Sequence, residues 1–462
     1  MSCLGILLAS GRAWGQAQCA QTTHCRANGH STMSQSLFPY TEDITDDTKI
    51  QTPVTTPQNL SGPTLNWTMI SGPCTELQGN LNGTNDFNAL LRAQIQVHSA
   101  QGVAANARYE VQLQVDGQEY GWYVRRLRGV YPQLDVFAAM APVKAGWHQY
   151  TVWARLLDAG TITLSNTYTM AQGSPNYYAG AKSVNANPLT MATTFFQPVT
   201  DSVTVTLSEA QDLVVQAYTQ IDAGTAGQTV SVRPFLDGVP QNPITTIGIP
   251  NTTPVVYDGK NYLTVITNVA AGTHTISLNA KTNGASTTFS NREIDVVGFP
   301  AGYYSTFASS TSTVLVQTPN ASPQPYWVWN DGCGYWTKLL EATIPPHTGA
   351  SNHMYEGYIR IQPNLTGSPL GHLVFETFYD PTDKNQSIDG GGRFITVYPY
   401  EDGAYIFGDA MLWDISNATE TIRLWARKVT CGTGNTGGSF NVTDRYMWVK
   451  HIPVTNGCWY GP

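Results

Sequence analysis

What this chain has least of is charge. Of its 462 residues only 12% are Asp, Glu, Lys or Arg, about half the share usual in a soluble domain, which argues against a helix-rich cytosolic enzyme. The 24 basic and 32 acidic residues leave a formal net charge of -8. That is no electrostatic footprint for a phosphate backbone, so no nucleic acid is expected as a partner. Also absent is any apolar run of about 18 residues, so no membrane span is expected. Helical periodicity is scarce: only residues 85–96 and 208–218 can be drawn on a helical wheel, and both read equally well as strands. The chain has no Gly-x-Ser-x-Gly, no His-Glu-x-x-His and no phosphate loop, the local signatures of acyl transfer, zinc proteolysis and nucleotide binding. It has no Cys-x-x-Cys pair and no Cys/His cluster at zinc-finger spacing either, which argues against structural zinc.

Gly, Pro, Thr, Asn, Ser and Tyr carry the polarity instead, and with 41% hydrophobic and 11% aromatic residues the chain has ample material for packed cores. At its start, MSCLGILLASGRAWGQA (1–17) sets a short apolar stretch, Leu4 to Ala9, ahead of the small residues Ala13 to Ala17. This is the pattern of an export signal cleaved after Ala17, although no basic residue precedes the apolar stretch. Six cysteines follow it: Cys19, Cys25, Cys74, Cys333, Cys431 and Cys458. An even number suits structural disulfides in an oxidising compartment. With three near the N-terminus and three in the last third, they form either one long-range bridge or leave a free thiol in each group. Location outside the cell, secreted or on the cell surface, is the expectation.

The chain repeats itself. RYEVQLQVDG (108–117) is followed by VKAGWHQYTVWARLLDAGTITLSNTYTMAQG (143–173), and TVSVRPFLDG (229–238) by VAAGTHTISLNAKTNGASTTFSNREIDVVGFP (269–300). Asp116-Gly117 matches Asp237-Gly238, Ala145-Gly146 matches Ala271-Gly272, His148 matches His274, and Ser165-Asn166 matches Ser290-Asn291. A more diverged third copy runs from HLVFETFYD (372–380) through 421–454, where Trp425-Ala426-Arg427 echoes Trp153-Ala154-Arg155. Apolar and polar residues alternate, as in Tyr109-Val111-Leu113-Val115, and Asp-Gly pairs supply hairpin turns. The fold class predicted is all-β: three tandem antiparallel β-sandwiches, jelly-roll or immunoglobulin-like, at 66–174, 188–300 and 324–462. Linkers are expected at 172–188 and 301–325, and residues 18–65 read as an extended N-terminal arm. The repeated Ala-Gly-x-His entry into a strand resembles the tandem β-sandwich modules of secreted bacterial surface proteins and phage tail appendages. The resemblance covers some 340 residues, is one of architecture, and carries over no catalytic residue.

Candidates for chemistry are few. His148 and His274 occupy equivalent positions, which favours a shared turn or strand-edge role. His347, His353 and Glu356 form the single local His/carboxylate group. YDPTDKNQSIDGGG (379–392) gathers Asp380, Asp383, Asn385 and Asp389 beside glycines, oxygen ligands of the kind calcium takes from a flexible loop. Apart from that calcium, no cofactor is expected. Glu356, Glu376 and Asp380 are conceivable partners for glycoside cleavage, but nothing in the sequence elevates them. Tyr326, Trp327, Trp329, Tyr335 and Trp336 surround a turn in YWVWNDGCGYW (326–336), with the stacking rings and nearby amides of a sugar-binding surface. Nine Asn-x-Ser/Thr sequons, at Asn59, Asn66, Asn82, Asn251, Asn320, Asn364, Asn385, Asn417 and Asn441, accord with a composition this rich in Asn, Ser and Thr.

Taken together these features predict a non-enzymatic structural or adhesive surface protein. Its units would form a rod and assemble as a homo-oligomer or polymer through the N-terminal arm and sheet edges. Two alternatives stand beside it: a protein binding extracellular polysaccharide through the third unit's aromatics, and a glycoside hydrolase or lyase with β-sandwich domains.

Overall fold

Alternation of apolar and polar residues becomes strand throughout, and the described residues contain no helix. A computed structural model of the chain describes residues 31–37, 40–46, 58–78, 86–104, 107–127, 133–144, 147–175, 178–223, 228–248, 258–304, 306–316, 336–344, 351–364, 371–380, 386–387, 393–397, 401–402, 404–407, 420–428 and 439–453.

The first ten strands are β1 (Ser31–Leu37), β2 (Tyr40–Asp46), β3 (Gln58–Gly62), β4 (Thr68–Gln78), β5 (Phe87–Gln101), β6 (Arg108–Val115), β7 (Gln118–Arg126), β8 (Gln133–Val143), β9 (Trp147–Leu156) and β10 (Gly160–Pro175). Next come β11 (Gly180–Asn185), β12 (Leu189–Met191), β13 (Gln197–Pro198), β14 (Val203–Leu207), β15 (Gln211–Ala223), β16 (Thr229–Leu236), β17 (Val239–Pro240), β18 (Thr245–Gly248), β19 (Asp258–Val269), β20 (Gly272–Thr282) and β21 (Thr287–Pro300). The last are β22 (Thr306–Ser310), β23 (Val314–Val316), β24 (Trp336–Ile344), β25 (Ser351–Asn364), β26 (Gly371–Asp380), β27 (Gln386–Ser387), β28 (Arg393–Val397), β29 (Glu401–Asp402), β30 (Ala404–Phe407), β31 (Glu420–Lys428) and β32 (Ser439–Pro453).

These strands build six sheets that fall into three pairs of one wiring. In the first pair β3, β10, β5 and β8 form one sheet in that order, and β4, β9, β6 and β7 the other. The second pair repeats it as β11/β12, β21, β15, β19 against β13/β14, β20, β16, β17/β18; the third as β22/β23, β32, β25, β30 against β24, β31, β26, β27/β28. Counting strands within each pair, the orders are 1-8-3-6 and 2-7-4-5, all antiparallel. This is the jelly roll, and it decides between the two sandwiches the sequence allowed.

The repeated residues have repeated jobs. Asp116-Gly117 and Asp237-Gly238 turn the β6–β7 and β16–β17 hairpins with two consecutive positive φ angles each, 51° and 77° in the first and 51° and 76° in the second. His148 Nδ1 lies 2.6 Å from Asp116 Oδ2 with Nε2 2.7 Å from the Lys144 carbonyl. His274 repeats this with Asp237 at 2.6 Å and the Ala270 carbonyl at 2.9 Å. Each histidine therefore clasps a hairpin tip to the carbonyl four residues before it.

The linkers predicted at 172–188 and 301–325 carry structure instead. β11 pairs with β21, and β22 and β23 pair with β32, so these stretches supply the first strand of the following sheet pair. Nor are residues 18–65 a plain arm. β1 and β2 form a hairpin whose second strand pairs with β10 over Thr169–Gln172, and β3 is the first strand of the first sandwich, with Leu60 in its core.

Three cores lie between the paired sheets, around Val111, Leu113 and Val152, around Val215, Leu278 and Val296, and around Leu424, Phe440 and Val442. Burying one such side chain is worth about 1.5–3 kcal/mol. Of residues 85–96 and 208–218, 87–96 lie in β5 and 211–218 in β15. They read ambiguously because these strands are buried on both faces, which erases the period of two.

The clasp gives the first prediction. The Asp237 bond and the Ala270 carbonyl hold the His274 imidazole above its ordinary value, and the same bond holds Asp237 below the usual carboxylate range. A raised histidine stabilises below its ordinary value and loses that contribution as pH climbs through the raised one; a lowered aspartate loses its contribution as pH falls. Asp237→Ala is therefore expected to cost about 1 kcal/mol in urea unfolding at pH 6, the value for a half-exposed charged hydrogen bond, and less at pH 9.

Candidate functional site at the junction of the three sheet pairs

The 1-8-3-6 sheets have a second apolar face, and this face determines how the pairs are joined. Leu90 and Met140 of the first pair, Val214, Leu263, Val265, Val297 and Phe299 of the second, and Tyr446 and Trp448 of the third form one further core. The expected rod is thereby corrected: units strung end to end would leave this face in water. Each pair also touches both others. β19 lies against β7 and β8, β28 lies beside β8, and β18 forms a short antiparallel ladder with β29, Thr246 opposite Asp402 and Ile247 opposite Glu401.

A bulge in the eighth strand makes this geometry. The β15–β21 register shifts between Tyr218 and Gln220, where Asn291 has φ 45°, and the β25–β32 register shifts at Tyr358/Arg360, where Asp444 has φ 42°. Asn and Asp tolerate the left-handed region better than other side chains with a Cβ. Before the bulge the strand alternates buried and half-exposed residues; from Arg292 to Phe299, and again from Arg445 to Val449, every residue is buried. β10 shifts at the equivalent place, between Ser165 and Tyr168. Tyrosines follow the bulged strand. After β21 the chain turns at Pro300 and sends Tyr303 flat against Phe299, centroids 4.9 Å apart, with Tyr304 edge-on. Asp212 fixes that turn by accepting from the amides of Gly302 and Tyr304 at 3.1 and 2.9 Å, and burial pushes its carboxyl up.

Where the first and second pairs meet, the contact is polar and specific. The Tyr218 ring stands edge-on to Tyr123 at 4.9 Å. Its hydroxyl accepts from the Val124 amide at 3.0 Å and donates to the Val124 carbonyl at 3.3 Å. Asn261 donates to the Val136 carbonyl at 2.6 Å. Gly259 lies so close beneath Val124 that an added Cβ would collide with its carbonyl and with the Tyr218 hydroxyl.

At the centre is a buried charge cluster. Lys182 Nζ is 2.5 Å from Glu293 Oε1 and 3.2 Å from Asp295 Oδ1, and donates to the Tyr120 carbonyl at 3.1 Å. Asp295, only 1% exposed, accepts from the Met140 amide at 2.8 Å. Two carboxylates against one ammonium would leave a buried negative charge, which the low dielectric disfavours. Burial and the neighbouring Asp295 charge accordingly push Glu293 up to about 8, with Lys182 opposing, and burial raises Asp295 too. One proton held by the pair neutralises the cluster.

The sequence pointed elsewhere. Tyr326, Trp327, Trp329, Tyr335, Asp383, Asn385, Asp389, His347, Cys19, Cys25, Cys333, Cys431, Cys458 and residues 1–17 lie outside the described residues. Trp336 opens β24, Cys74 lies on β4, His353 and Glu356 on β25, and Glu376 and Asp380 on β26; their side chains are outside the description. Lys182, Glu293 and Asp295 were missed, the first because it fell in an expected linker. One signal was present: two acids in the run EIDVVGF, where an alternating strand with one wet face would not place them together with so many apolar residues.

No protein-family model matches the chain, and no curated protein sequence matches it. Among solved structures it is similar to the CBM22-1-CBM22-2 tandem domain of Paenibacillus barcinonensis Xyn10C, at 10% identity over 58% of this chain and 93% of that one, with a TM-score of 0.17. It is likewise similar to Broad Bean Stain Virus, at 9% identity over 60% of this chain and 91% of that one, TM-score 0.20. For the infectious bursal disease virus VP2 subviral particle the values are 7%, 93%, 85% and 0.20.

Two predictions follow from the junction. Gly259→Leu is expected to part the first and second sheet pairs while leaving their cores intact: the radius of gyration in small-angle scattering rises, and denaturant unfolding splits into two transitions with an unchanged starting far-UV spectrum. A raised carboxylate stabilises fully below its ordinary value and loses that contribution as pH climbs through the raised one. The thermal midpoint should therefore fall from pH 6 to pH 9, and Glu293→Gln should flatten that slope.

Proposed function

We propose that the protein is a structural building block that works through its surfaces rather than by catalysis and assembles with further copies of itself. The observation that carries this reading is the closed junction. Three jelly rolls of one wiring share a core, so the chain is already an assembly of three like units. Homo-oligomeric growth extends the same logic outward. β1 has β2 as its ladder neighbour and is otherwise the outermost strand of its sheet among the described residues; five of its seven residues, STMSQSL, are polar and none is charged. Such an edge can accept a strand from a second copy, and low charge weakens repulsion between copies. Placement on a cell or particle surface, and export by residues 1–17, belong to the same proposal. No helix among the described residues is long and apolar enough to cross a membrane.

Electron microscopy and size-exclusion chromatography test the reading. The full chain should form higher-order particles, and a variant lacking residues 31–46 should elute as a folded monomer, since β3 onward keeps the first core intact. Particles unchanged by that deletion would remove the edge from the proposal, and a full chain that stays monomeric at high concentration would refute self-assembly.

A further inference from the structure

The 2-7-4-5 sheet of the first pair turns its outer face to solvent, and that face is built from rings and amides. Across its four strands the register sets Met69 opposite Trp153, Trp153 opposite Gln112, and Gln112 opposite Trp122. All four side chains point away from the core, which takes Val111, Leu113 and Val152 from the alternate positions. The backbones of Trp153 and Trp122 are two strand spacings apart, about 10 Å, with an amide between them. Trp122 is 46% exposed, unusual for an indole, and Met69 37%.

Around this row the polar groups are fixed before any ligand arrives. Gln114 donates to Gln112 Oε1 at 2.9 Å, and Gln112 donates to Glu119 Oε2 at 2.5 Å. Trp153 Nε1 donates to Thr151 Oγ1 at 2.9 Å, which holds the indole in place. Arg155 lies 4.4 Å above the centre of the Trp67 ring and 2.5 Å from Glu110, and donates to the Leu65 carbonyl at 3.0 Å. Arg155, the cation beside Trp153, is thus spent within the face. What is left to offer are two indole rings, a second hydrogen on each glutamine amide and a second oxygen on Glu119.

We infer that this face binds a neutral polysaccharide, with successive pyranose rings seated on Trp122 and Trp153 and their hydroxyls bonded to Gln112, Gln114 and Glu119. Pyranose rings present C–H surfaces that pair with an indole and hydroxyls that need both donors and acceptors. An acidic polymer is disfavoured, because it would meet the carboxylate of Glu119 beside the two rings. A protein partner fits less well, because the fully buried core of a protein interface is more apolar than its rim, whereas here the rings are separated by amides. The site differs from the third-unit aromatics to which the sequence pointed, and it is independent of self-assembly.

Affinity gel electrophoresis of the full chain in soluble β-glucan, in galactomannan and in polygalacturonate tests the inference. Retardation by at least one neutral polymer and none by polygalacturonate is expected. Trp122→Ala and Trp153→Ala should each weaken it about tenfold, the effect of losing one stacked ring, and the double variant should abolish it. Glu119→Ala, at an exposed position, is the second line of test and should weaken it too, without moving the thermal midpoint. Particle formation in microscopy should be unchanged in every variant, which separates failure of this site from failure of assembly. No retardation in either neutral polymer, equal retardation of the double variant, or retardation by polygalacturonate alone would overturn it.

Discussion

Every 1-8-3-6 sheet of this protein has to bury two faces, and most of its other features answer to that requirement. A strand covered on one side needs apolar residues at every second position; a strand covered on both needs them everywhere, or needs each polar exception satisfied. β21 shows the change within a single strand, alternating before Asn291 and wholly buried after Arg292. Two of the exceptions are satisfied as burial demands: Asp295 takes the Met140 amide and Lys182, and Tyr218 takes both backbone groups of Val124. Without the second face there would be no reason for the bulge, the tyrosine turn or the buried proton.

The partner sheets obey the simpler rule and account for the low charge. Their outer faces, and the outer halves of the other sheets, are held by hydroxyl pairs across the ladders: Ser61 with Thr161, Thr190 with Thr288, Thr206 with Thr273, and Ser231 with Thr246. Each pair satisfies two polar groups without a counter-ion, and its threonines keep the β-branched shape that strands favour. Ion pairs occur chiefly where geometry must be fixed, as at Arg155 with Glu110 on the ring-bearing face and Lys182 with Glu293 at the junction. A chain built this way needs few charged residues, and the few it has become informative.

Local chemistry was legible in the sequence and long-range chemistry was not. The Asp-Gly turns, the equivalence of His148 with His274 and the alternating strands such as β6 and β16 follow from spacing and alternation alone. Trp67, Trp122 and Trp153 did not stand out, because they are separated by 55 and 31 positions and become neighbours only through the register of four strands. The cluster in 326–336 drew attention because its members are adjacent in the chain, which is a weaker criterion than sharing a face. Trp122 and Trp153 do carry a signal of their own: each occupies the outward phase of an alternating strand, where a polar residue is the default. The junction was obscured for a related reason. Two-faced burial removes the periodicity from which strands are read, and its contacts, such as Tyr218 with Val124, span 94 positions.

Three copies of one fold could close in more than one order, and their differences decide which. The junction of the first and second pairs depends on Lys182, Glu293 and Asp295, which belong to the second copy alone. In the first copy the β10 stretch that matches REIDVV reads TYTMAQ and offers no acid. The second and third pairs are joined by backbone, through the β18–β29 ladder, and the third pair brings Tyr446 and Trp448 to the shared core where the first brings Leu90 and Met140. A buried charge cluster adds little net stability compared with well-packed apolar groups, but it penalises every arrangement that leaves one of its members without partners. Divergence among the repeats therefore has a structural purpose: identical faces would permit several pairings, whereas one charged, one hydrogen-bonded and one aromatic contact permit a single closed order.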